Sequence, residues 1–287
     1  MNNLKPHISL FDKSFSDLNT DTYKLYLEIG TNALKYTLLN TKNNTFIGLE
    51  EYRLNGIFNT YALVEPLTSL IKNVPLLQKT FATFHVAFIN QRSTLIPNAI
   101  FQQDKLALYH QYNFTQQEED TFLHDNLINL SAKNIYSVPD YIINVFKPIK
   151  NVAFSHFSSA LIEAGLIHAK QSNSLSSIDL HILPDSFQIV VIKNQQLELY
   201  NSFTYQTSED FLYYLLFVLD QLKIDNEKAT IRLLGEVEKN STLYSMLYKY
   251  INTINFGNRP ENLKFSYILE EVPVHFHYPL FNQFLCE

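Results

Sequence analysis

The stretch LYLEIGTNALKYTLLN, residues 25–40, places an acidic residue beside a glycine-containing turn between two apolar segments. Glu28 ends the first segment, and Gly30 and Thr31 form the turn. A carboxylate can organise Mg²⁺ and water, while backbone N–H groups and a hydroxyl can hold phosphate. These residue types at this spacing are therefore compatible with a nucleotide phosphate site. The alternative is an ordinary hairpin turn, in which Gly30 or Asn32 supplies a positive φ.

Other groupings of reactive side chains are explained without chemistry. HFH at 275–277 places two imidazoles on one face of a predicted strand, and no third ligand is identifiable, so a polar strand face is favoured over a metal site. The serines and histidine at 155–159 lack a Gly-x-Ser-x-Gly elbow, and we expect Ser158 or Ser159 to cap a helix. The acidic run at 118–120 is predicted to lie in the first turn of a helix, where negative charge complements the dipole.

Composition limits the class of protein. With 287 residues, 46% of them hydrophobic and 17% charged, the chain can bury a large core in one large or two medium domains. A net charge of −6 without a Lys/Arg cluster argues against nucleic-acid and membrane-surface partners. The single cysteine, Cys286, cannot form an internal disulfide and is typical of a reducing compartment. No signal-peptide pattern begins the sequence, so we expect a cytoplasmic protein.

The first half of the chain shows the elements that would position the turn at Gly30. A polar arm at 1–22 precedes three strands that form a predicted antiparallel meander, at 23–29, 33–40 and 45–54. Further elements are predicted in the order helix, strand, helix, strand, helix, strand and helix, at 58–73, 84–89, 115–127, 134–139, 139–146, 151–156 and 158–170.

A similar pattern restarts after a predicted linker at 171–177. Three more strands are followed by helix, strand, helix, strand and helix, at 178–184, 186–193, 196–203, 208–222, 229–236, 240–252, 264–268 and 278–285. Thr207 and Asp210 form a capping-box pattern at the start of the helix over 208–222. That helix carries Tyr213, Tyr214 and Phe217, and its largely apolar circumference predicts a core helix, some of whose Tyr rings could line an interface.

Two βββαβα-type halves in tandem predict a duplicated α/β architecture, with mixed sheets flanked by helices. The predicted domains are an arm at 1–22, a first domain at 23–172 and a second at 173–287.

Four segments carry a resemblance to a known family. LEIGTNALKYTLLN, NIYSVPDYIINVF, AFSHFSSALIEAGL and HYPLFNQFLCE resemble an uncharacterised bacterial family of unknown function with the actin-like ATPase fold, and the resemblance runs from about residue 23 to the end. It implies two ribonuclease-H-like domains flanking a nucleotide cleft. The chain also resembles, more faintly, the pilus-assembly and cell-division members of that superfold, whose roles include docking partner peptides.

An active actin-like ATPase has an Asp-x-Gly turn in each half and a glycine-rich turn against the adenosine. Glu28 replaces the first Asp here, and Lys35 falls where a family member places a basic residue. The corresponding second turn, LPDSF at 183–187, has no glycine, and Pro184 removes one N–H donor. The candidate adenosine turn, LLGEV at 233–237, keeps only Gly235.

The resemblance and these departures together predict a non-catalytic binding or scaffold protein with a degenerate nucleotide cleft and no cofactor, acting with a protein partner or as a homodimer. The alternative is an ATP-binding protein or slow ATPase that uses ATP with Mg²⁺. Nucleotide would then contact Gly30, Thr31, Lys35 and Gly235, with Glu28 at the metal. Metal-dependent hydrolysis in a ribonuclease-H-like half is the weakest alternative, because the two turns offer only Glu28 and Asp185.

Overall fold

The computed structural model describes residues 5–57, 59–116, 119–172 and 176–287. The strands within these ranges are β1 (Ile8–Phe11), β2 (Tyr23–Ile29), β3 (Ala33–Asn40), β4 (Thr45–Arg53), β5 (Thr83–Phe88), β6 (Ser93–Pro97), β7 (Asp120–Leu127), β8 (Ala132–Pro139), β9 (Val152–His156), β10 (Ser176–Ile182), β11 (Ser186–Lys193), β12 (Gln196–Thr204), β13 (Thr230–Gly235), β14 (Thr253–Phe256) and β15 (Lys264–Phe265). The helices are α1 (Val64–Asn73), α2 (Leu106–Gln111), α3 (Asp140–Val145), α4 (Phe157–Gln171), α5 (Ser208–Gln221), α6 (Thr242–Leu247) and α7 (Tyr278–Asn282).

The chain forms two compact units. Of the described residues, unit 1 comprises those up to 160 together with 261–271 and 279–287, and unit 2 comprises those within 161–260 and 272–278. The division therefore falls within α4, whereas the linker was predicted at 171–177. Of that predicted linker, residues 173–175 lie outside the described part of the chain.

The main sheet of unit 1 has the strand order β1-β4-β3-β2-β5-β9, with β15 also paired to β4. Strands β2, β3 and β4 form the predicted antiparallel meander, while β5 and β9 run parallel to β2. Parallel pairing requires a crossover, and helix-containing segments provide it. One face of the sheet packs on α1 and α3 through a large apolar core that includes Leu27, Val86 and Phe84.

Unit 2 repeats this topology. Its sheet has the order β12-β11-β10-β13-β14, in which the first three strands are again an antiparallel meander and the last two run parallel to β10. The third strands, β4 and β12, are each nine residues long. Each also has a shift of register after its second residue, at Phe46 and at Leu197. The predicted duplication is confirmed at this level of detail.

A smaller three-stranded antiparallel sheet, β6-β8-β7, belongs to unit 1 and contacts α2. The helix predicted over 115–127 is wrong, because Asp120–Leu127 pairs with β8 over its whole length. The acidic start that suggested a helix cap instead contributes Asp120, whose carboxylate lies 2.8 Å from Arg92. Glu118, the first acid of that run, lies outside the described residues.

Helix and strand lengths differ from prediction in the second half. The helix predicted over 240–252 is limited to α6, and the chain then forms β14, which was not predicted. The strand predicted over 264–268 is only β15, followed by a 3₁₀ helix at Tyr267–Glu271. The predicted capping box is confirmed, since Thr207 Oγ1 accepts a hydrogen bond from Asp210 N and Asp210 accepts one from Thr207 N. Among the described residues, no helix combines the length and apolarity needed to span a bilayer.

The arm predicted at 1–22 contributes a strand to the sheet of unit 1. Strand β1 pairs antiparallel with Gly48–Glu51 of β4, and β15 pairs with Thr45 and Phe46 of the same strand. Gly48 makes room for this covering strand, because a Cβ there would lie 2.6 Å from the ring of Phe11. The outer edge of β4 is therefore paired with two segments of the same chain, β1 and β15.

We predict that Phe11→Ala lowers the free energy of unfolding by about 1–3 kcal/mol, because it removes the ring that anchors β1 over Gly48. Gly48→Ala in the wild-type background should cost a similar amount through the clash with that ring. In the Phe11→Ala background the glycine substitution should become nearly neutral. Chemical denaturation of the four variants measures this coupling, and additive costs would contradict it.

Candidate functional site

The turn at Gly30 is closed by hydrogen bonds within the chain. Gly30 N–H donates to Ala33 O over 3.0 Å, and Leu54 N–H donates to Asn32 O over 2.8 Å. The expectation that Gly30 or Asn32 has a positive φ is wrong, because neither residue does. A Cβ on Gly30 would lie 3.4 Å from Ile89, which is ordinary van der Waals contact. The hairpin is therefore formed without any conformational need for glycine at this position.

Three charged side chains form a row across the sheet beside this turn. Glu28, Lys35 and Glu51 lie directly opposite one another on β2, β3 and β4, so they share one face. All three are buried, with exposures of 2%, 5% and 3%. Lys35 Nζ lies 4.0 Å from Glu51 Oε2, and Arg53 Nε lies 3.0 Å from the other oxygen of Glu51. Lys35 is thus flanked by two carboxylates, and its charge is balanced within the protein.

The C-terminal segment of unit 1 packs on the same face of the sheet. Tyr26, two residues before Glu28, donates its hydroxyl to Glu287 Oε1 over 2.9 Å, and Glu287 also forms an ion pair with Lys24. Burial and the Glu287 charge raise the pKa of Tyr26, and burial lowers the pKa of the neighbouring His85 to about 4. The face that carries Glu28 is therefore partly covered by the C-terminal segment, and burial shifts the pKa values of the groups beneath it.

The turn at 183–187 in unit 2 also uses its backbone internally. Leu183 N–H donates to Ser186 O over 2.9 Å, and Tyr205 N–H donates to Asp185 O over 3.1 Å. Asp185 itself is exposed, and its Oδ1 accepts a hydrogen bond from Ser186 Oγ. These contacts are those of a sheet hairpin.

Gly235 is a glycine for reasons of packing. Its φ is +81°, and a Cβ would lie 2.4 Å from the carbonyl oxygen of Ile182. Its N–H donates to His275 O over 2.8 Å, and the N–H of Glu236 donates to Ile182 O. The turn that would contact adenosine therefore holds two segments of unit 2 together.

His275 and His277 lie in a turn, and their predicted position on one face of a strand is wrong. His275 Nε2 is 2.7 Å from Val237 O, and burial lowers the pKa of His275. No group of three potential metal ligands exists among the residues that the structure describes.

The Ser-His segment at 155–159 forms a buried hydrogen-bonded cluster at the start of α4. Ser158 Oγ lies 2.6 Å from His156 Nδ1, and Asn134 Nδ2 donates to the hydroxyl oxygens of both Ser158 and Ser159. Ser159 donates to Asp125 Oδ2 over 2.5 Å, and the same oxygen accepts from His156 N. The prediction that a serine caps this helix is wrong, because α4 begins at Phe157 and both serines lie inside it.

The chemistry of this cluster is set by burial. Desolvation raises the pKa of Asp125 to about 7 and lowers the pKa of His156 to about 3, so the imidazole is neutral at physiological pH. Ser158 and His156 have the separation of a nucleophile and its base, but both are completely buried and bonded to Asn134 and Asn90. The arrangement joins the small sheet to α4. Asp125 was missed because its strand was predicted to be a helix.

Comparisons with known proteins agree with this architecture. A protein from Bacteroides thetaiotaomicron VPI-5482, described as having an actin-like ATPase fold and unknown function, matches with a TM-score of 0.77 and 21% identity over 89% of this chain and 97% of that chain. The PilM-PilN type IV pilus biogenesis complex matches with a TM-score of 0.65 and 14% identity over 92% of this chain and 98% of that one. No curated protein matches.

The duplicated sheets and these likenesses define a protein with the actin-like ATPase fold. The chain belongs to the family described as "Protein of unknown function (DUF3822)", whose model matches residues 12–254. The resemblance stated from the sequence is thereby confirmed for both family and fold. Fold alone does not assign an activity.

The two candidate glycines are predicted to respond differently to alanine. Gly235→Ala should lower the free energy of unfolding by about 3 kcal/mol or more, through its positive φ and the contact with Ile182. Gly30→Ala should change it by less than about 0.5 kcal/mol. Thermal unfolding of both variants checks this, and equal losses would show that the turn at Gly30 is strained.

Asp125→Asn is predicted to change how stability depends on pH. A carboxyl with a raised folded-state pKa contributes stability that is complete below its unfolded pKa of about 3.9 and is lost as pH rises through about 7. The loss is on the order of 4 kcal/mol at most. The wild type should therefore lose stability relative to Asp125→Asn between pH 4 and 8. Subtracting the two unfolding curves cancels the histidine contributions, and a constant difference would contradict the prediction.

Proposed function

We propose that this protein is a non-catalytic binding or scaffold protein that uses the actin-like fold without ATP hydrolysis. The observation that carries the proposal is the row Glu28–Lys35–Glu51. A nucleotide phosphate brings several negative charges, and Lys35 is already compensated by two buried carboxylates. Adding phosphate beside Glu28 and Glu51 would place like charges together in a poorly solvated region.

The backbone groups of the candidate turns support the same conclusion. The N–H groups of Gly30 and Gly235 donate to carbonyls of the chain itself, at Ala33 and His275. Pro184 has no N–H to offer. Phosphate-binding loops depend on such N–H groups pointing at the ligand.

A role in binding another protein is supported by the fold and by the surface. The PilM-PilN likeness shows that a protein of this fold assembles with a protein partner. On this chain, Tyr213 and Phe217 of α5 expose 64% and 50% of their surface. Exposed aromatic side chains are enriched at protein interfaces. The partner is a second protein or another copy of the chain.

The alternative is retained ATP binding with Mg²⁺, with Gly30, Thr31, Lys35 and Gly235 at the nucleotide and Glu28 at the metal. One observation favours it. Gly30 has neither a positive φ nor a close neighbour that requires glycine, and close approach of a ligand to the backbone is a remaining reason for glycine.

Thermal unfolding with millimolar Mg-ATP tests the proposal. A ligand at about 100 times its Kd adds roughly 2.7 kcal/mol to the folded state, which corresponds to a rise in Tm on the order of 5 °C or more. We expect no rise beyond that produced by Mg²⁺ alone.

The matched control is Gly30→Ala, which the structure accommodates without strain. A rise in the wild type that disappears in this variant would overturn the proposal and place nucleotide at the turn. Sedimentation velocity on the same sample then reports whether the chain is a monomer or a homodimer.

A further inference from the structure

Strand β12 forms an edge of the unit 2 sheet. It pairs with β11 on one side, and among the described residues no strand pairs with its other side. None of its nine residues is fully buried, and Gln196, Glu198, Asn201 and Thr204 are exposed. A long edge strand of this kind offers a row of backbone donors and acceptors to another chain.

The pairing with β11 determines which backbone groups point outward. Tyr205 N–H donates to Asp185 O, so these opposite residues form a hydrogen-bonded pair. Antiparallel pairs alternate, and therefore the N–H and C=O groups of Thr204 and Ser202 point away from β11. Consistent with this, Ser202 N–H donates to the exposed side chain of Asn201 over 2.8 Å. A docking strand could replace that local contact.

Unit 1 shows how the equivalent edge is filled. Because β4 and β12 have the same length and shift register at the same place, Glu51 of β4 corresponds to Ser202 of β12. Glu51 O accepts from His7 N over 2.7 Å, and β1 runs antiparallel from there to Gly48. The corresponding residues of β12 are Leu199–Ser202, and this edge has no such covering strand in the described chain.

The surface beside this edge has an aromatic and acidic character. Phe203 of β12 stacks on Tyr214 of α5 with ring centroids 5.0 Å apart, and the exposed rings of Tyr213 and Phe217 continue this row. Residues 194–222, which include β12 and α5, contain four acids and no Lys, Arg or His, and Lys193 and Lys223 lie at the two ends of this stretch. The acids are Glu198, Glu209, Asp210 and Asp220.

We propose that Leu199–Thr204 of β12 accepts an antiparallel β-strand from a partner protein, and that this strand alternates basic and apolar side chains. Main-chain hydrogen bonds at the edge supply affinity, while the acidic residues and the aromatic row select basic and apolar side chains. The inference rests on the proposed binding function and specifies the chemistry of the partner.

Charge distinguishes this occupant from a second copy of the chain. Two β12 edges paired about a two-fold axis would bring together two copies of the 194–222 stretch, each with four acids and no Lys, Arg or His. Such like-charge juxtaposition is unfavourable, whereas a basic strand is complementary.

The test uses the full-length chain and labelled synthetic peptides of about ten residues, with the same apolar residues at alternate positions and Lys, Ser or Glu between them. Fluorescence anisotropy measures the affinities. We expect the Lys peptide to bind about tenfold more tightly than the Ser peptide and the Glu peptide to bind least. A Lys peptide with N-methylated alternate amides should lose binding, because it cannot complete the ladder.

The protein variants are Ser202→Pro and Ser202→Ala. Both lose the hydroxyl that accepts from Gln188, but only proline removes the outward N–H. Ser202→Pro should weaken binding of the Lys peptide by about tenfold or more, while Ser202→Ala should bind it like the wild type. Circular dichroism confirms that both variants fold, and in the wild type hydrogen exchange at the outward N–H groups of Ser202 and Thr204 should slow only when peptide is bound.

Three results would overturn the proposal. They are equal binding by the two Ser202 variants, equal binding of the N-methylated peptide, and no binding of the Lys peptide. Sedimentation velocity showing a dimer that Ser202→Pro dissociates would replace it with pairing between copies. The peptide titrations contain no nucleotide and the Mg-ATP experiment contains no peptide, so failure of one proposal is distinguishable from failure of the other.

Discussion

The architecture depends on how the backbone of the third strand in the main sheet of each unit, β4 or β12, is hydrogen-bonded at its outer edge. Alternate residues of such a strand direct N–H and C=O groups away from the sheet, and those groups need partners in protein or water. In unit 1, β1 and β15 pair with this strand. The absence of a side chain at Gly48 leaves room for the Phe11 ring at that edge. In unit 2, β12 lies at the edge, and the Asn201 side chain accepts a hydrogen bond from the outward N–H of Ser202. The two main sheets thus differ in how this one edge is filled.

The duplicated meanders could be predicted from the sequence because their signals are local. Alternating apolar residues and short turns define β2, β3, β10 and β11 without reference to the rest of the chain. Strands β1, β6 and β14 were missed because they are short and are defined by their partners. Strand β7 was mistaken for a helix, since the acidic run at 118–120 resembles the first turn of a helix, while the pairing of β7 with β8 overrides local preference.

The candidate site was harder to predict because it depends on register. Counting from the pair Asn40–Thr45 would place Lys35 opposite Glu50. The shift at Leu38/Leu39 moves Glu51 into that position and directs Glu50 to the other face. There Glu50 accepts hydrogen bonds from Tyr36, Tyr52 and Ser9. One extra residue therefore decides which carboxylate meets Lys35, and sequence alone carries no clear signal for it.

The positions of the charges decide what each region can bind. Lys35 is buried between carboxylates, so an anion approaching it would have to displace an established partner and lose its own hydration. The acids beside β12 are mostly exposed and keep their water, so a basic chain can approach without burying an unpaired charge. Backbone hydrogen bonds at the edge then fix the register of the incoming strand, which exposed charges alone cannot do. Under the two proposals, the fold serves recognition of an extended chain in place of phosphate chemistry.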